Sequence, residues 1–320
     1  MKIQRAVLTL HWCGSWSPPR SVPNSVNGWW CDEKHEYAFL GFSYSVAACQ
    51  SVEQLKSDFR DIRSRFQGRY VRLYGTCDRY GFYNDVIEAA WTAGLGIHAL
   101  IWFGFTGGNE WMRRRDELFR VLHSNAKARF VTRAVQFGSE PLFDRVIDPY
   151  WLADEVNRAK WNVGQMGIKV TVSDLAYSYQ REWNKGARHV LDNVDVVDAH
   201  MLPYFSPQAT TARNSWPLIM QDLNWFMKNS NGKKIYLSEN GWPSSTSSNI
   251  QPNSANAVAN VRNEHDYYTL LDQHCSEFKR MTGGGVGWFA HIYSDSQEGG
   301  YGVYNQEGGL KFPFRPRTEC

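Results

Sequence analysis

Ile235-Tyr236-Leu237-Ser238-Glu239-Asn240-Gly241-Trp242-Pro243-Ser244 reads as a buried strand that ends on a carboxylate and breaks at once into a turn. Val135-Gln136-Phe137-Gly138-Ser139-Glu140-Pro141-Leu142-Phe143 does the same earlier in the chain. Turn residues directly behind each acid place it at the C-terminal end of its strand. That is where a closed barrel of parallel strands gathers its functional side chains.

Working outward from these two segments, short apolar, β-branched or aromatic runs recur at 39–44, 70–75, 96–103, 133–139, 169–174, 194–201, 234–239 and 285–293. Continuous apolar character, rather than alternation, is what a strand buried on both faces requires. Between the runs the period changes to that of helices. Over 52–67, Val52, Leu55, Phe59, Ile62 and Phe66 form one stripe, with Ser51 and Gln54 spaced as a capping box. Over 151–166 the stripe is Leu152, Val156, Ala159, Val163 and Met166, opened by Asp148-Pro149. A third helix near 210–228 carries Trp216, Met220, Leu223 and Met227. Eight strands alternating with helices predict an α/β protein, a single (β/α)8 TIM barrel over 38–320. A doubly wound open sheet is the competing architecture. It is disfavoured because no glycine-rich phosphate loop follows any strand, and Gly283-Gly284-Gly285 and Gly299-Gly300 lack the required spacing.

Residues 1–37 show no period and read as an irregular N-terminal extension, with 1–12 a degenerate secretion signal whose apolar core is short. The 320 residues, 42% apolar and 21% charged, are ordinary for a globular domain, and a net charge of +3 without a basic run points to no nucleic-acid partner. No apolar stretch is long enough to span a membrane, and a monomer is expected. None of the six cysteines forms a CxxC pair, so no zinc site is indicated. Cys49 and Cys77 follow the first and second strands, which brings them onto neighbouring loops and predicts a disulfide. Cys13–Cys31 and Cys275–Cys320 are further pairings, without a geometric argument to single them out.

Two carboxylates across a cleft are the minimum for hydrolysing a glycosidic bond. In order, Gly41-Phe42-Ser43-Tyr44, Val71-Arg72-Leu73-Tyr74-Gly75-Thr76, Gly138-Ser139-Glu140-Pro141, Val170–Tyr177, Asp198–Phe205 and Leu237–Ser244 resemble the corresponding segments of fungal family 17 glycoside hydrolases, the β-1,3-glucanases and glucanosyltransferases of the cell wall. The resemblance covers roughly 38–313 and implies a retaining enzyme acting on β-glucan, secreted or in the cell wall, without cofactor or metal. It assigns Glu140 as general acid/base and Glu239 as nucleophile, and it makes Tyr44 and Tyr74 substrate contacts. Two departures stand out. The family's Asn before the acid is Ser139 here, which predicts a weaker hold on the sugar 2-hydroxyl and a slower enzyme, improved by Ser139→Asn. In the loop after strand eight, Ser294 and Gln297 replace the Glu and Lys of plant relatives, whereas the third acid of that loop has a counterpart in Glu298, expected to support the site.

Tyr204, Phe205 and Trp242 are candidate walls for stacking on sugar rings, and Asp174, closing strand five, a candidate partner for a sugar hydroxyl or an orienting group. For each glutamate alone, the competing role is that of a buried ion-pair partner to a barrel arginine such as Arg72. His98, His200 and His291 lie in strands three, six and eight, but no HxH, HExxH or ligand-spaced Asp accompanies them, so they read as core or supporting histidines rather than metal ligands. A β-1,3-glucanosyltransferase on the same residues and a catalytically weakened glucan-binding protein are the alternatives to a hydrolase.

Overall fold

The computed structural model describes residues 19, 21–181, 183 and 185–320. Eight parallel strands close in sequence order: β1 (Ala38–Ser45), β2 (Tyr70–Tyr74), β3 (Gly96–Ile101), β4 (Thr132–Ser139), β5 (Lys169–Asp174), β6 (Val197–Met201), β7 (Ile235–Asn240) and β8 (Val286–Ala290). β8 pairs back to β1, so the sheet has no free edge and the expected (β/α)8 barrel is formed. Every residue of β1, β4, β6, β7 and β8 is buried, which is why these strands read as unbroken apolar runs.

Element ends depart from the sequence expectation where a local bond intervenes. β6 starts at Val197 rather than 194 because Val194 caps the preceding helix Ala187–Asn193 through its N–H to the Val190 carbonyl. β8 stops at Ala290, beyond which Ile292 bonds instead to the Tyr301 carbonyl at 2.9 Å. The helix Val52–Ser64 opens with the Ser51 hydroxyl accepting from Gln54 N. Only half of the capping box forms, since the Gln54 amide reaches forward to Asp58 at 2.8 Å. Asp148 caps Pro149–Val163 by accepting from the N–H groups of Tyr150 and Trp151. In Trp216–Asn229 the buried stripe is Ile219, Leu223 and Phe226; Trp216, Met220 and Met227 are only partly buried.

The described part of the N-terminal segment is irregular apart from one 3-10 turn, Glu33–His35, and lies against the barrel. Trp29 stacks on Trp91 and donates its indole N–H to the Phe130 carbonyl at 2.7 Å. Glu36, fully buried, enters beneath the strands, where it accepts from Tyr70 Oη at 2.5 Å and from Tyr236 Oη, and pairs with Arg133 at 3.1 Å. Burial pushes the Glu36 carboxyl up, but Arg133, the two phenols and Lys234 together hold its pKa below the usual range. The Cys49–Cys77 disulfide forms, with Cα atoms 5.1 Å apart, and Cys275–Cys320 forms with Cα atoms 5.7 Å apart. Cys13 and residues 1–12 lie outside the described residues. No helix among the described residues is long and apolar enough to cross a membrane.

Removing Glu36 strands a buried guanidinium, Arg133, and two buried phenols. Glu36→Ala is expected to cost about 3–5 kcal/mol of stability, measured as a lower denaturation midpoint in urea. Replacing Glu36 and Arg133 together by apolar residues should recover part of that loss.

Candidate active site

The site is organised around Arg72, a β2 residue with no exposed surface. Its Nε donates to Gln136 Oε1 at 2.9 Å and its Nη1 to Glu239 Oε1 at 2.7 Å. Nη2 reaches Ser139 Oγ at 2.8 Å and Ser173 Oγ at 3.1 Å. One planar fork therefore joins β2 to β4, β5 and β7. Ser139 also donates its hydroxyl proton to Glu239 Oε1. Glu239 is thus both the ion-pair partner of Arg72 and a wall of the cleft; the two roles foreseen as alternatives are combined.

Glu140 is aimed by an irregular end to β4. The register with β5 shifts between Gln136 and Ser139, and Gly138 and Glu140 adopt φ values of +83° and +59°. At Gly138 a Cβ would lie 2.7 Å from the Pro141 ring, so glycine is required by both conformation and space. The left-handed backbone at Glu140 is held from behind: its N–H bonds to the Ser173 carbonyl at 2.8 Å, and Asp174 Oδ2 accepts from Leu142 N at 2.8 Å. Asp174, fully buried, therefore anchors the loop that carries Glu140 rather than lining the cleft. Burial, and the nearby charge of Glu140, push its pKa up to about 7, against hydrogen bonds from Ser178 and Leu142 N.

His200, from β6, stands between the two acids. Its Nδ1 is 2.9 Å from Glu140 Oε1, and its Nε2 is 2.7 Å from Ser173 Oγ and 3.4 Å from Glu239 Oε1. A carboxylate oxygen of each glutamate and a ring nitrogen of His200 lie within 4.8 Å of one another. This is the one grouping among the described residues that could also ligate a metal, but Arg72 already supplies the positive charge facing Glu239. For Glu239, burial favours the neutral acid, but His200, Arg72, His291 and the Ser139 hydrogen bond outweigh it and hold the pKa well below the carboxylate range. Burial pushes the His200 imidazole down, and the two glutamates reverse this and raise it.

These groups open into a single cleft. Of the residues selected from sequence, Tyr74, Ser139, Glu140, Phe205, Glu239 and Glu298 line it. Tyr74 packs edge-on to His291 with its ring 5.6 Å from the Arg72 guanidinium carbon, and its phenol is kept protonated by burial and by Glu239 and Glu298. Glu298 accepts from His291 Nε2 at 3.1 Å. Its loop is fixed by Asp295, which accepts from Gly300 N, Gly302 N and Lys311. Gln297 accepts from Ser45 N at 3.1 Å, tying that loop to β1.

Tyr44, Tyr204 and Trp242 are fully buried and do not line the cleft. Tyr44 packs on Phe59 and donates to Asp58 at 2.6 Å, facing the helix layer. Tyr204 packs between Phe205 and Trp242, backing the wall rather than forming it. His98 lies deep in the barrel, 3.4 Å from Asp198. Sequence reasoning passed over Trp102, Phe105 and Asp144, all of which line the cleft. Trp102 follows the third strand, where the strand-end rule applies. Asp144 carries no such signal; the turn that bonds its N–H to the Glu140 carbonyl at 2.9 Å brings it there. Burial, and the charges of Glu140 and Glu239, push its pKa up to about 6.

The profile of the BtgE/BtgC glycoside hydrolase domain matches residues 41–305. Among solved structures, the chain is similar to a glycoside hydrolase family 17 β-1,3-glucanosyltransferase from Rhizomucor miehei, with 23% identity, a TM-score of 0.68, and coverage of 88% of this chain and 98% of that one. An active-site mutant of the Rhizomucor miehei enzyme in complex with laminaritriose matches with 21% identity, a TM-score of 0.69, and coverage of 87% and 97%. A plant β-glucan endohydrolase follows at 15% identity, a TM-score of 0.58, and coverage of 86% and 100%. At these identities the likeness to solved structures is one of fold. No curated protein matches the sequence.

Asp174 and Asp144 have folded pKa values raised to about 7 and about 6. Between its unfolded value and these, the folded state binds protons that the unfolded chain releases, so both groups reduce stability as pH rises through that window. The thermal midpoint should therefore fall between about pH 4 and about pH 7. Asp174→Asn, which keeps a carbonyl acceptor for Leu142 N, should flatten that fall; an unchanged slope in scanning calorimetry would refute the assignment.

Proposed function

The chain belongs to the BtgE/BtgC glycoside hydrolase family, and we propose that it cleaves β-1,3-glucan with retention of configuration, Glu239 acting as nucleophile and Glu140 as general acid/base. The observation that carries this reading is the separation of the two acids, whose nearest oxygens lie within 4.8 Å. Retaining sites hold their carboxyl groups about 5–5.5 Å apart, whereas inverting sites leave about 6.5–9.5 Å for a water. In the first step Glu239 forms a bond to the anomeric carbon while the glycosidic C–O bond breaks and the Glu140 proton passes to the leaving oxygen. In the second, Glu140 takes a proton from the incoming hydroxyl, which displaces Glu239. Arg72 and Ser139 keep Glu239 ionised and, by holding its Oε1, orient Oε2 for the attack.

The incoming hydroxyl decides between hydrolysis and transfer. Similarity over nearly the whole length of two structures described as β-1,3-glucanosyltransferases, one holding laminaritriose, favours transfer as a second activity of the same site. The half-open cleft flanked by Trp102, Phe105 and Phe205 would offer an acceptor sugar flat apolar faces. The Cys49–Cys77 and Cys275–Cys320 disulfides suit an oxidising compartment and support a secreted or cell-wall location.

Glu239→Gln should lower turnover of laminari-oligosaccharides by a factor on the order of 10⁴ or more, with the fold intact by circular dichroism. Glu140→Ala should regain activity toward an aryl β-glucoside with a good leaving group when azide is added, because a small anion needs no general base. NMR of the first-formed product should show the β-anomer; an α-anomer would exclude the retaining mechanism. Reduced laminari-oligosaccharides separate hydrolysis, which gives shorter chains, from transfer, which gives longer ones.

Ser139 is engaged by Arg72 and Glu239, so it serves the nucleophile rather than the sugar 2-hydroxyl. Losing a hydrogen bond to a charged group of this kind costs about 1.5–3 kcal/mol. Ser139→Ala should therefore reduce kcat at least roughly tenfold. Ser139→Asn, whose longer side chain must displace the Arg72 contact, should slow the enzyme as well; a faster Ser139→Asn variant would return Ser139 to the role of a shortened sugar ligand.

A further inference from the structure

The contacts of His200 go beyond those of a supporting core histidine. The ring has no exposed surface, and its two nitrogens face the two acids of the site: Nδ1 lies 2.9 Å from Glu140 Oε1 and Nε2 lies 3.4 Å from Glu239 Oε1. Around Nε2 a chain of hydroxyls sets the proton positions. Ser238 Oγ donates to the Ala199 carbonyl at 3.4 Å, and Ser173 Oγ is 2.7 Å from Ser238 Oγ and 2.7 Å from Nε2. With Ser173 donating to Ser238, Ser173 accepts from Arg72 and from an Nε2–H. Nδ1–H then donates to Glu140, and a doubly protonated ring satisfies every partner.

Resting on the assignment of Glu140 and Glu239 as the reacting pair, we propose that His200 is the charge-compensating residue of both half-reactions. It holds one imidazolium against whichever of the two carboxylates is ionised. The chemistry demands such a group. When Glu239 bonds to the anomeric carbon it loses its negative charge, and Glu140, giving its proton to the leaving oxygen, acquires one. Deglycosylation returns the charge: the incoming hydroxyl gives its proton to Glu140, and the electron pair of the ester bond goes back to Glu239. One negative charge thus crosses the site twice per turnover, and His200 is in contact with both ends of its path. Arg72 bonds Glu239 but not Glu140 and cannot do the same. By donating to Oε1, His200 also leaves the second oxygen of Glu140 to carry the catalytic proton into the cleft.

The titratable and charged groups that face His200 are Glu140 and Asp144 from β4 and its loop, Asp174 from β5, Glu239 from β7 and Arg72 from β2. Burial and Arg72 oppose a charge on the ring, and the contacts with Glu239 and Glu140 outweigh them and raise the His200 pKa.

The test is the pH profile of kcat/KM on a short laminari-oligosaccharide for the wild type, His200→Asn and His200→Gln. Loss of the imidazolium removes a positive neighbour from both carboxylates. Both limbs of the profile should therefore move up by about 1 pH unit, with kcat reduced and KM little changed. A lower rate with unmoved limbs would make His200 a packing residue, and movement of one limb alone would tie it to a single acid; either overturns the proposal. Should both variants fail to fold, NMR of 15N-histidine in the intact wild type decides. Both ring nitrogens of His200 should remain protonated across the pH range of activity, and a neutral ring at the optimum overturns the proposal. Glu239→Gln tests the underlying pair separately, since its loss of turnover does not depend on the state of His200.

Discussion

A buried guanidinium must find acceptors for all three of its nitrogens, and Arg72 finds them on three different strands. Gln136 and Ser139 on β4, Ser173 on β5 and Glu239 on β7 all converge on it. Breaking any one contact leaves a buried donor unpaired, so the relative heights of these strands are constrained together. The placement of Glu239 follows directly. That of Glu140 follows at one remove, through Ser139 beside it and Ser173, whose carbonyl accepts from the Glu140 N–H.

The two ends of the barrel use the same physics for different purposes. Below the strands, Glu36 and Arg133 neutralise each other inside a shell of tyrosines, closed to solvent. At the top, Arg72 meets Glu239 in similar burial, but the neighbouring Glu140 keeps a quarter of its side chain exposed and faces an open cleft. The lower cluster pairs its charges within the barrel and presents no group to a cleft. The upper cluster has an acid that is only partly enclosed, so a substrate can complete its hydrogen bonding.

Around the site, the loops are held by acids that do not touch the cleft. Asp174 binds the backbone after Glu140, and Asp295, itself bonded to Lys311, binds the backbone around Glu298. These carboxylates bond the backbone of the loops that carry Glu140 and Glu298 and so fix where the two acids stand. Gly241 contributes by its lack of a side chain, since a Cβ there would come within 2.8 Å of the His291 carbonyl and force the ends of β7 and β8 apart.

The number, order and direction of the strands were legible in the sequence because burial on both faces demands unbroken apolar runs, and the two acids were legible because turn residues stop each run directly behind them. The first disulfide was readable for the same reason, as consecutive strands bring their following loops together. Which aromatic rings face the cleft was not. Tyr44 and Tyr74 both close strands, yet one turns to the helix layer and the other to the substrate side, a choice made by packing against Phe59 and His291. Asp144 and His200 were undervalued because their importance lies in what stands opposite them. Local sequence determined the barrel and the ends of its strands, since those depend on short-range periodicity. Only the closed tertiary structure decided which side chains meet, because the contacts of Arg72 and His200 at the centre of the site join residues far apart in the chain.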